Sequence, residues 1–461
     1  MSFEPGTKRP QGKKPKDYID AEDRPGLAAR QVATRLLGAV IEKHTSLDGL
    51  TDNSNGHPQY MALDDRDRSL VRAILGAALR NRGTIEAAIG RLIDRPLPDN
   101  AVALRHLLAV AAAQILYLDL PDRAAVDLAV TAANNDPRNR RFASMVNAVL
   151  RRLSREKDDF PAMGPATSGN VPAWFENSLV AAYGRAKTKA ILDIQSKEPP
   201  IDLTVKGNPQ EWADRLGGIA LPTGSIRLAT VEGALTGLPG FEEGQWWVQD
   251  TAASLPAKLF GDIRGQRVAD LCAAPGGKTA QLALAGAHVT ALDLSANRLK
   301  RLRSNLERLQ LKAETVEANL AAYMPAELFD AILLDAPCSS TGTVRRHPDV
   351  PWTKTPEDVV KLAQLQAKLL DHAVTLVRPG GIVVFSNCSL DPLEGEKVAN
   401  DLLAKSPSLE LVPVVEDEIG GLGELITAEG FVRSTPADLP HENPALSGMD
   451  GFFAARFRRK Y

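Results

Sequence analysis

The chain has three cysteines, and each closely follows a short apolar segment typical of a buried β-strand. Cys272 follows "RVADL", Cys338 follows "FDAILLD" and Cys388 follows "GIVVFS". Buried packing is the usual role of a free cysteine. All three would lie at one edge of the same sheet, and coincidence is a poor explanation for three such placements. The pattern therefore favours a chemical role for these thiols over packing alone. A thiolate in such a position can act as a nucleophile.

Two other uses of these thiols are disfavoured. A zinc site is disfavoured because the sequence has neither a CxxC pair nor a histidine cluster near a cysteine. The small, odd cysteine count and an N-terminus without a secretory signal predict a cytoplasmic protein. A structural disulfide is improbable in that reducing environment. Packing and nucleophilic catalysis therefore remain.

Two features predict a nucleoside cofactor. In "DLCAAPGGKTAQL", residues 270–282, Gly276 and Gly277 would form a tight turn between a strand and a helix, which allows close approach of a ligand. The turn matches neither the P-loop nor GxGxxG. Asp293 ends the next strand, where a carboxylate can accept hydrogen bonds from ribose hydroxyls. A helix N-cap is the competing role for Asp293, but Ser295 already fits that position.

The elements that position these residues form a doubly wound α/β sheet, because apolar strands alternate with amphipathic helices from Gly265 onwards. Asp335 and Cys338 follow a fully apolar strand, at the carboxyl edge where such sheets bind ligands. The segment after Ser295 predicts a helix that Ser295 caps. Its buried stripe comprises Leu299, Leu302, Leu306 and Leu309.

The preceding half of the chain predicts different architecture. Helical periodicity runs from residue 26 to 158, with Leu27, Val32, Leu36 and Val40 near one face, and indicates an all-α bundle. The predicted domains are a disordered basic tail (1–25), the helical domain (26–158), a small α+β segment (172–262) and the α/β domain (263–461), with a Pro/Gly-rich linker between 160 and 172.

Composition sets wider limits. A chain of 461 residues is too long for one core. No apolar run approaches the roughly 20 residues that span a bilayer. The net charge of −2 neither requires nor excludes nucleic acid, so an RNA-binding surface would be a local patch. No heptad pattern or strand edge suggests self-association, so we expect a monomer.

"DLCAAPGGKT", "DAPCSSTGTVRRHPDVPW" and "FSNCSLDPLEGE" closely resemble the S-adenosylmethionine-dependent RNA cytosine-C5 methyltransferases. "RRHPD", with an N-terminal domain similar to the antitermination factor NusB, resembles the bacterial ribosomal RNA small-subunit methyltransferase B family. The NusB-like similarity rests on "LDDRDRSLVRAILGAALR" and "RFASMVNAVLRRL". The resemblance implies a Rossmann-like catalytic domain, S-adenosylmethionine as cofactor, a cytosine of 16S ribosomal RNA as substrate, and no metal.

The resemblance also implies roles for single residues. Cys388 would add to carbon 6 of the cytosine, Cys338 would assist breakdown of the adduct, and Asp335 would bind the base at the border of the cofactor site. Asp293, supported by Arg298, would hold the ribose, and Asn319 would lie near the adenine. The residues implied to hold the methionine end are Cys272, Ala273, Ala274, Pro275, Gly276, Gly277 and Lys278.

Two positions depart from the family pattern. Asn387 precedes Cys388 where the family usually has Thr, and Asn319 stands where it usually has Asp. An amide can still accept a hydrogen bond, so we expect cofactor binding to survive. The change at Asn387 leaves the thiol intact. Nearby cations or helix dipoles must favour its thiolate, and Lys278 is one candidate.

Basic clusters are the candidate RNA contacts, although clustered charge is commonly a solvated helix face. Arg345, Arg346 and His347 directly follow the catalytic loop. The helical domain adds Arg151, Arg152, Arg138, Arg140 and Arg141. The target base would leave its stack to reach Cys388.

Three alternatives stay open. The first is a tRNA cytosine-C5 methyltransferase, against which "HPD" and the NusB-like domain argue. The second is a non-catalytic RNA-binding or assembly factor, against which both cysteines, Asp335 and the glycine turn argue. The third is an amino-group methyltransferase, which normally uses an N/D-P-P-aromatic turn where this chain has "DAPC".

Overall fold

The computed structural model describes residues 24–52, 55–160, 169–231 and 233–461. The chain divides after Asn170 into two compact units. The predicted tail lies outside the described residues except for Arg24 and Pro25, and so does most of the linker. The finer boundaries at 158, 172 and 262 stay predictions.

The first unit is helical, and no strand occurs among its described residues. Its helices are α1 (Leu27–Lys43), α2 (Leu47–Leu50), α3 (Pro58–Met61), α4 (Asp65–Arg80), α5 (Arg82–Leu92), α6 (Val102–Tyr117), α7 (Asp122–Asn135) and α8 (Ala143–Arg155). Leu27, Leu36 and Val40 are fully buried, as the periodicity predicts. The all-α bundle is therefore confirmed.

The second unit begins with a long helix and a small sheet. Helix α9 (Ala173–Gln195) is interrupted at Gly184, whose φ of 72° only glycine adopts without strain. An antiparallel sheet in the order β2-β3-β1-β4 follows. Helix α10 (Pro209–Leu216) lies between β1 and β2 in the sequence. The strands are β1 (Ile201–Val205), β2 (Ile219–Ala220), β3 (Ile226–Leu228) and β4 (Trp246–Val248).

The main sheet has eight strands, in the order β10-β12-β9-β8-β5-β6-β7 with β11 on β12. They are β5 (Arg267–Leu271), β6 (His288–Asp293), β7 (Glu314–Glu317), β8 (Phe329–Asp335), β9 (Val377–Asn387), β10 (Leu409–Leu411), β11 (Val432–Ser434) and β12 (Phe452–Arg459). Strands β5 to β9 run parallel, and β12 is antiparallel to β9. The strand order reverses between β5 and β8, where doubly wound sheets bind ligands.

The remaining helices are α11 (Thr251–Lys258), α12 (Gly277–Leu284), α13 (Ala296–Arg308), α14 (Val350–Thr353), α15 (Pro356–Leu376) and α16 (Glu396–Lys405). The Ser295 side chain caps α13 by accepting a hydrogen bond from Arg298 N–H. The leucine stripe of α13 is buried. The predicted fold class is confirmed.

Three strands of the main sheet, β7, β10 and β11, were not predicted from the sequence. Strand β7, with sequence "ETVE", lies at the sheet edge and is not fully buried at any residue, so it lacks the apolar run of the central strands. Strands β10 and β11 have only three residues each. Among the described residues, no helix is long and apolar enough to cross a membrane.

Candidate active site

The loops after β8 and β9 bring two cysteines together. The Sγ atoms of Cys338 and Cys388 lie 3.4 Å apart, close enough for a thiol to donate a hydrogen bond to a thiolate. The backbone N–H of Gly342 donates to the Cys388 carbonyl at 2.9 Å, which joins the two loops again. Residues separated by fifty positions in sequence thus form one reactive pair.

This contact makes the two thiols unequal. The hydrogen bond from Cys338 lowers the pKa of Cys388, although burial opposes it, and Lys278 contributes in the same direction. The same hydrogen bond, together with burial, raises the pKa of Cys338 well above its ordinary value. Cys388 is therefore the more readily ionised thiol of the pair, and Cys338 is the hydrogen-bond donor.

The third cysteine has a different environment. Cys272 directly follows β5 with a φ of 65°, the left-handed region that non-glycine residues rarely adopt. Burial, reinforced by the negative charge of Asp335, raises the pKa of Cys272 to about 12. This thiol stays protonated at neutral pH and does not qualify as a nucleophile.

Asp335 ends β8 within reach of both loops. Its Oδ2 accepts a hydrogen bond from Lys278 Nζ at 2.8 Å, and its Oδ1 accepts one from Ser386 Oγ at 2.9 Å. The Lys278 ammonium also lies 4.7 Å from the centre of the Phe452 ring. Lys278 therefore binds Asp335 beside the thiol pair and also contacts the Phe452 ring.

Asn387, the departure from the family pattern, has a clear structural role. Its Nδ2 donates to the Glu394 carbonyl at 2.7 Å, and its Oδ1 accepts from Ser389 N–H at 2.9 Å. The amide thereby closes the loop that carries Cys388. Its two hydrogen bonds require a donor and an acceptor on one side chain, which an amide supplies.

Asp293, the predicted ribose contact, connects the end of β6 to the neighbouring loops. Its Oδ2 accepts from Ala274 N–H at 3.2 Å and its Oδ1 from Ser295 N–H at 3.0 Å. Arg298 lies 3.5 Å from the same carboxylate and donates to the Ala274 carbonyl. Asn319 follows the neighbouring strand β7, is exposed, and accepts from Ala321 N–H at 3.1 Å. Both predicted nucleoside contacts thus lie at adjacent strand ends.

The glycine turn fits a cationic ligand. A Cβ on Gly276 would lie 2.8 Å from the Leu302 side chain, so glycine is required for the turn to pack on α13. Beneath the turn, burial raises the pKa of Asp270 to about 7. Its Oδ1 has no hydrogen-bond partner among the described residues. With Asp293 and Asp335 nearby, the carboxylates suit the sulfonium and ammonium of S-adenosylmethionine better than a polyphosphate.

One predicted RNA contact is corrected by the structure. Arg345 is fully buried and forms ion pairs with Asp250 and, at 2.6 Å, with Asp450. Arg346 binds the same carboxylates at 2.7 and 3.3 Å, with its side chain 22% exposed. A guanidinium removed from solvent and held between carboxylates is not placed to reach a phosphate. Contacts by Arg346 and the half-buried His347 stay predictions.

We expect Arg345→Ala to lower the free energy of unfolding by about 3 to 5 kcal/mol, because only Arg346 then remains to balance the two buried carboxylates of Asp250 and Asp450. Urea unfolding of the second unit, followed by tryptophan fluorescence, measures the change. Arg458→Ala is the matched control, because its pair with Glu410 is about half exposed and should contribute less than about 1 kcal/mol. Unchanged stability combined with weakened RNA binding would restore the RNA-contact role of Arg345.

The basic residues of the helical domain are more accessible. Arg151 and Arg152 lie exposed on α8, where Arg151 binds Asn147 of the same helix at 2.9 Å and Arg152 binds Glu156, just after the helix, at 2.8 Å. Arg138, Arg140 and Arg141 precede α8 and are also exposed. Ion pairs at the surface are weak, so these side chains can exchange their present partners for phosphates. Their contacts with RNA stay predictions.

A doubly wound sheet with a glycine turn after its first parallel strand and a thiol pair beside its switch point is typical of the S-adenosylmethionine-dependent methyltransferases. Residues 261–458 match the model of the family described as 16S rRNA methyltransferase RsmB/F, and residues 27–155 match the NusB family. Among the described residues, no group of His, Cys, Asp or Glu side chains is arranged to hold a metal ion.

Relatives extend this similarity to nearly the whole chain. Ribosomal RNA small subunit methyltransferase B of Xylella fastidiosa is 36% identical over 94% of this chain and 98% of its own. The protein of the same name from Pseudomonas putida is 34% identical over 93% and 97%. The chain belongs to the ribosomal RNA small subunit methyltransferase B family, whose cofactor is S-adenosylmethionine.

Solved structures agree on the fold. The crystal structure of PH0851 matches with a TM-score of 0.68 and 22% identity, over 97% of this chain and all of that one. NSun6 from Pyrococcus horikoshii matches with a TM-score of 0.53 and 18% identity, over 63% of this chain and 98% of that one. At these identities the similarity shows the fold alone.

Proposed function

We propose that this protein methylates carbon 5 of a cytosine in 16S ribosomal RNA through a covalent adduct between Cys388 and carbon 6 of the base. The observation that carries the mechanism is the 3.4 Å contact between Cys338 and Cys388, which lowers the pKa of Cys388 and raises the pKa of Cys338. Membership of the family supports the substrate and the cofactor.

Covalent catalysis answers a chemical difficulty. Carbon 5 of cytosine is a poor nucleophile, so its direct attack on a methyl group is slow. Addition of the Cys388 thiolate to carbon 6 forms a C–S bond and moves an electron pair into the ring, which makes carbon 5 nucleophilic. When bound, S-adenosylmethionine supplies the electrophilic methyl group. A base then accepts the carbon-5 proton, and the Cys388 thiolate leaves with the electron pair of the C–S bond, which restores the aromatic ring.

The neighbouring side chains support these steps. The carboxylate of Asp335 can accept a hydrogen bond from the exocyclic amine of the base and so orient the ring against Cys388. Lys278, bound to Asp335 at 2.8 Å, balances negative charge that develops during addition. The Cys338 thiol stabilises Cys388 as a leaving group, because a thiol of lower pKa departs faster.

The cofactor residues act by position. Ala274 N–H and Ser295 N–H fix the Asp293 carboxylate at the end of β6, and Arg298 joins it to the turn. We assign the ribose to Asp293, the adenine to the neighbourhood of Asn319, and the methionine end to Cys272 through Lys278. These residues follow the parallel strands β5, β6 and β7, at the same edge of the sheet as the thiol pair.

RNA binding completes the proposal. The target cytosine leaves its stack to enter the site, and the exposed arginines of α8 bind phosphates. The protein acts as a cytoplasmic monomer. The NusB-like domain and the substrate of the relatives favour small-subunit ribosomal RNA over tRNA.

The substrate assignment is tested with labelled S-adenosylmethionine and unmodified RNA. We expect 5-methylcytosine at one position of small-subunit ribosomal RNA and none in tRNA, when the digested RNA is analysed by mass spectrometry. Label in tRNA alone would favour the tRNA enzyme. Label on an exocyclic amine would contradict the covalent mechanism, and no label in any RNA would support the non-catalytic alternative.

A further inference from the structure

A buried glutamate joins the two cysteine loops, and sequence reasoning assigned it no role. Glu394 follows Cys388 in the loop after β9 and is completely buried. Cys338 and Cys388 are each followed directly by a serine. Both serines, Ser339 and Ser389, bind the Glu394 carboxylate. This repeated Cys-Ser pair was the available signal in the sequence.

The carboxylate uses both oxygens. Oε1 accepts from Ser339 N–H at 2.9 Å and from Gln366 Nε2 at 2.9 Å. Oε2 accepts from Ser389 Oγ at 2.6 Å and from Ser339 Oγ. Because Gln366 also donates to the Pro337 carbonyl at 2.9 Å, helix α15 anchors the loop before Cys338 to the same carboxylate.

The backbone of Glu394 completes the connection, because its carbonyl accepts from Asn387 Nδ2 at 2.7 Å. One residue therefore binds the positions on either side of Cys388 and the position after Cys338. Burial raises the pKa of Glu394, while hydrogen bonds from Ser339 and Ser389 oppose that rise. Retaining an unpaired carboxyl at full burial is unfavourable, so the four donors are needed to hold it.

We propose that Glu394 is a positioning residue that holds the loops of Cys338 and Cys388 together, so that the two sulfur atoms stay in hydrogen-bond contact. The proposal rests on the proposed function for its effect on methyl transfer. Its geometric part, the spacing of the thiols, is independent of the substrate. Glu394 acts through its neighbours and does not itself touch the reacting atoms.

Glu394→Gln tests this role, because it keeps the side-chain volume but replaces one acceptor oxygen with a donor. We expect kcat to fall about 100-fold, the effect of a small misplacement of reacting groups, with KM for S-adenosylmethionine unchanged. Glu410→Gln is the matched control, because Glu410 lies partly exposed on β10 and binds only Arg458 among the described residues.

A second measurement does not need RNA. Iodoacetamide alkylates the thiolate form of Cys388. The alkylation rate, measured by peptide mass spectrometry at a series of pH values, therefore reports the fraction of Cys388 that is ionised. The groups facing the Cys388 sulfur are Cys338, Asp335, Lys278 and Ser340, all unchanged in Glu394→Gln. We expect the alkylation midpoint to move to higher pH and cross-linking of Cys338 to Cys388 by a short bifunctional thiol reagent to decrease.

The outcomes separate the two proposals. If the wild type methylates no RNA, the proposed function is wrong, yet alkylation and cross-linking still decide the role of Glu394. If Glu394→Gln is folded and keeps the wild-type midpoint, cross-linking and kcat, the positioning role is overturned. Should Glu394→Gln fail to fold, Ser389→Ala takes its place, because it removes one of the four hydrogen-bond donors to the Glu394 carboxylate. An unchanged alkylation midpoint and unchanged cross-linking in Ser389→Ala would then overturn the positioning role.

Discussion

Cys388→Ala is expected to abolish methyl transfer, with a loss of about 10⁴-fold or more, because no other group in the site can form the bond to carbon 6. Cys338 lies 3.4 Å away but is held protonated, so it does not substitute as nucleophile. Incorporation of labelled methyl into small-subunit ribosomal RNA measures the loss, and S-adenosylmethionine binding by calorimetry should be unchanged.

The matched control for this variant is Cys272→Ala. It also removes a thiol from the carboxyl edge of the sheet, but a pKa near 12 keeps Cys272 protonated. We expect Cys272→Ala to retain the covalent RNA adduct, even if its affinity for S-adenosylmethionine changes. Methyl transfer by Cys388→Ala at the wild-type rate would remove the nucleophile assignment.

Cys338→Ala is expected to accumulate a covalent protein–RNA complex that survives denaturing electrophoresis. The hydrogen bond from Cys338 makes Cys388 a better leaving group, so its removal should slow departure from the methylated base. Turnover should fall by about 10² to 10⁴, the range for loss of a positioned proton donor. Gel mobility and methyl incorporation are measured on the same samples.

Two comparisons make this result specific. The double variant Cys338→Ala/Cys388→Ala should form no adduct, because the bond to RNA requires Cys388. In Cys338→Ala alone, alkylation of Cys388 should shift to higher pH as the donor is lost. Wild-type turnover without a trapped complex would show that Cys338 has no part in release.

Several features followed from local sequence. The apolar strands, the Ser295 cap and the leucine stripe of α13 depend on neighbouring residues and periodicity, and all were predictable. The placement of Cys272, Cys338 and Cys388 behind strands also followed, because parallel strands end at the same edge of a sheet.

Other features required contacts between distant segments. "RRHPD" has the composition of an RNA contact, yet Arg345 is buried against Asp250 and Asp450, each about one hundred residues away. A charged sequence pattern does not reveal whether its partner is solvent, phosphate or a buried carboxylate. Asn387 gains its structural role within its own loop, from hydrogen bonds to Glu394 and Ser389 whose geometry the sequence pattern does not reveal.

The sequence by itself determined the architecture, the cofactor side of the sheet and the presence of thiols at its ligand-binding edge. Only the tertiary structure decided which thiol has the lower pKa, because that depends on a 3.4 Å contact between loops after different strands. It also revealed Glu394, whose importance comes from burial and from four donors on three segments of the chain. Ionisation and burial are set by distance in space, which local periodicity does not encode.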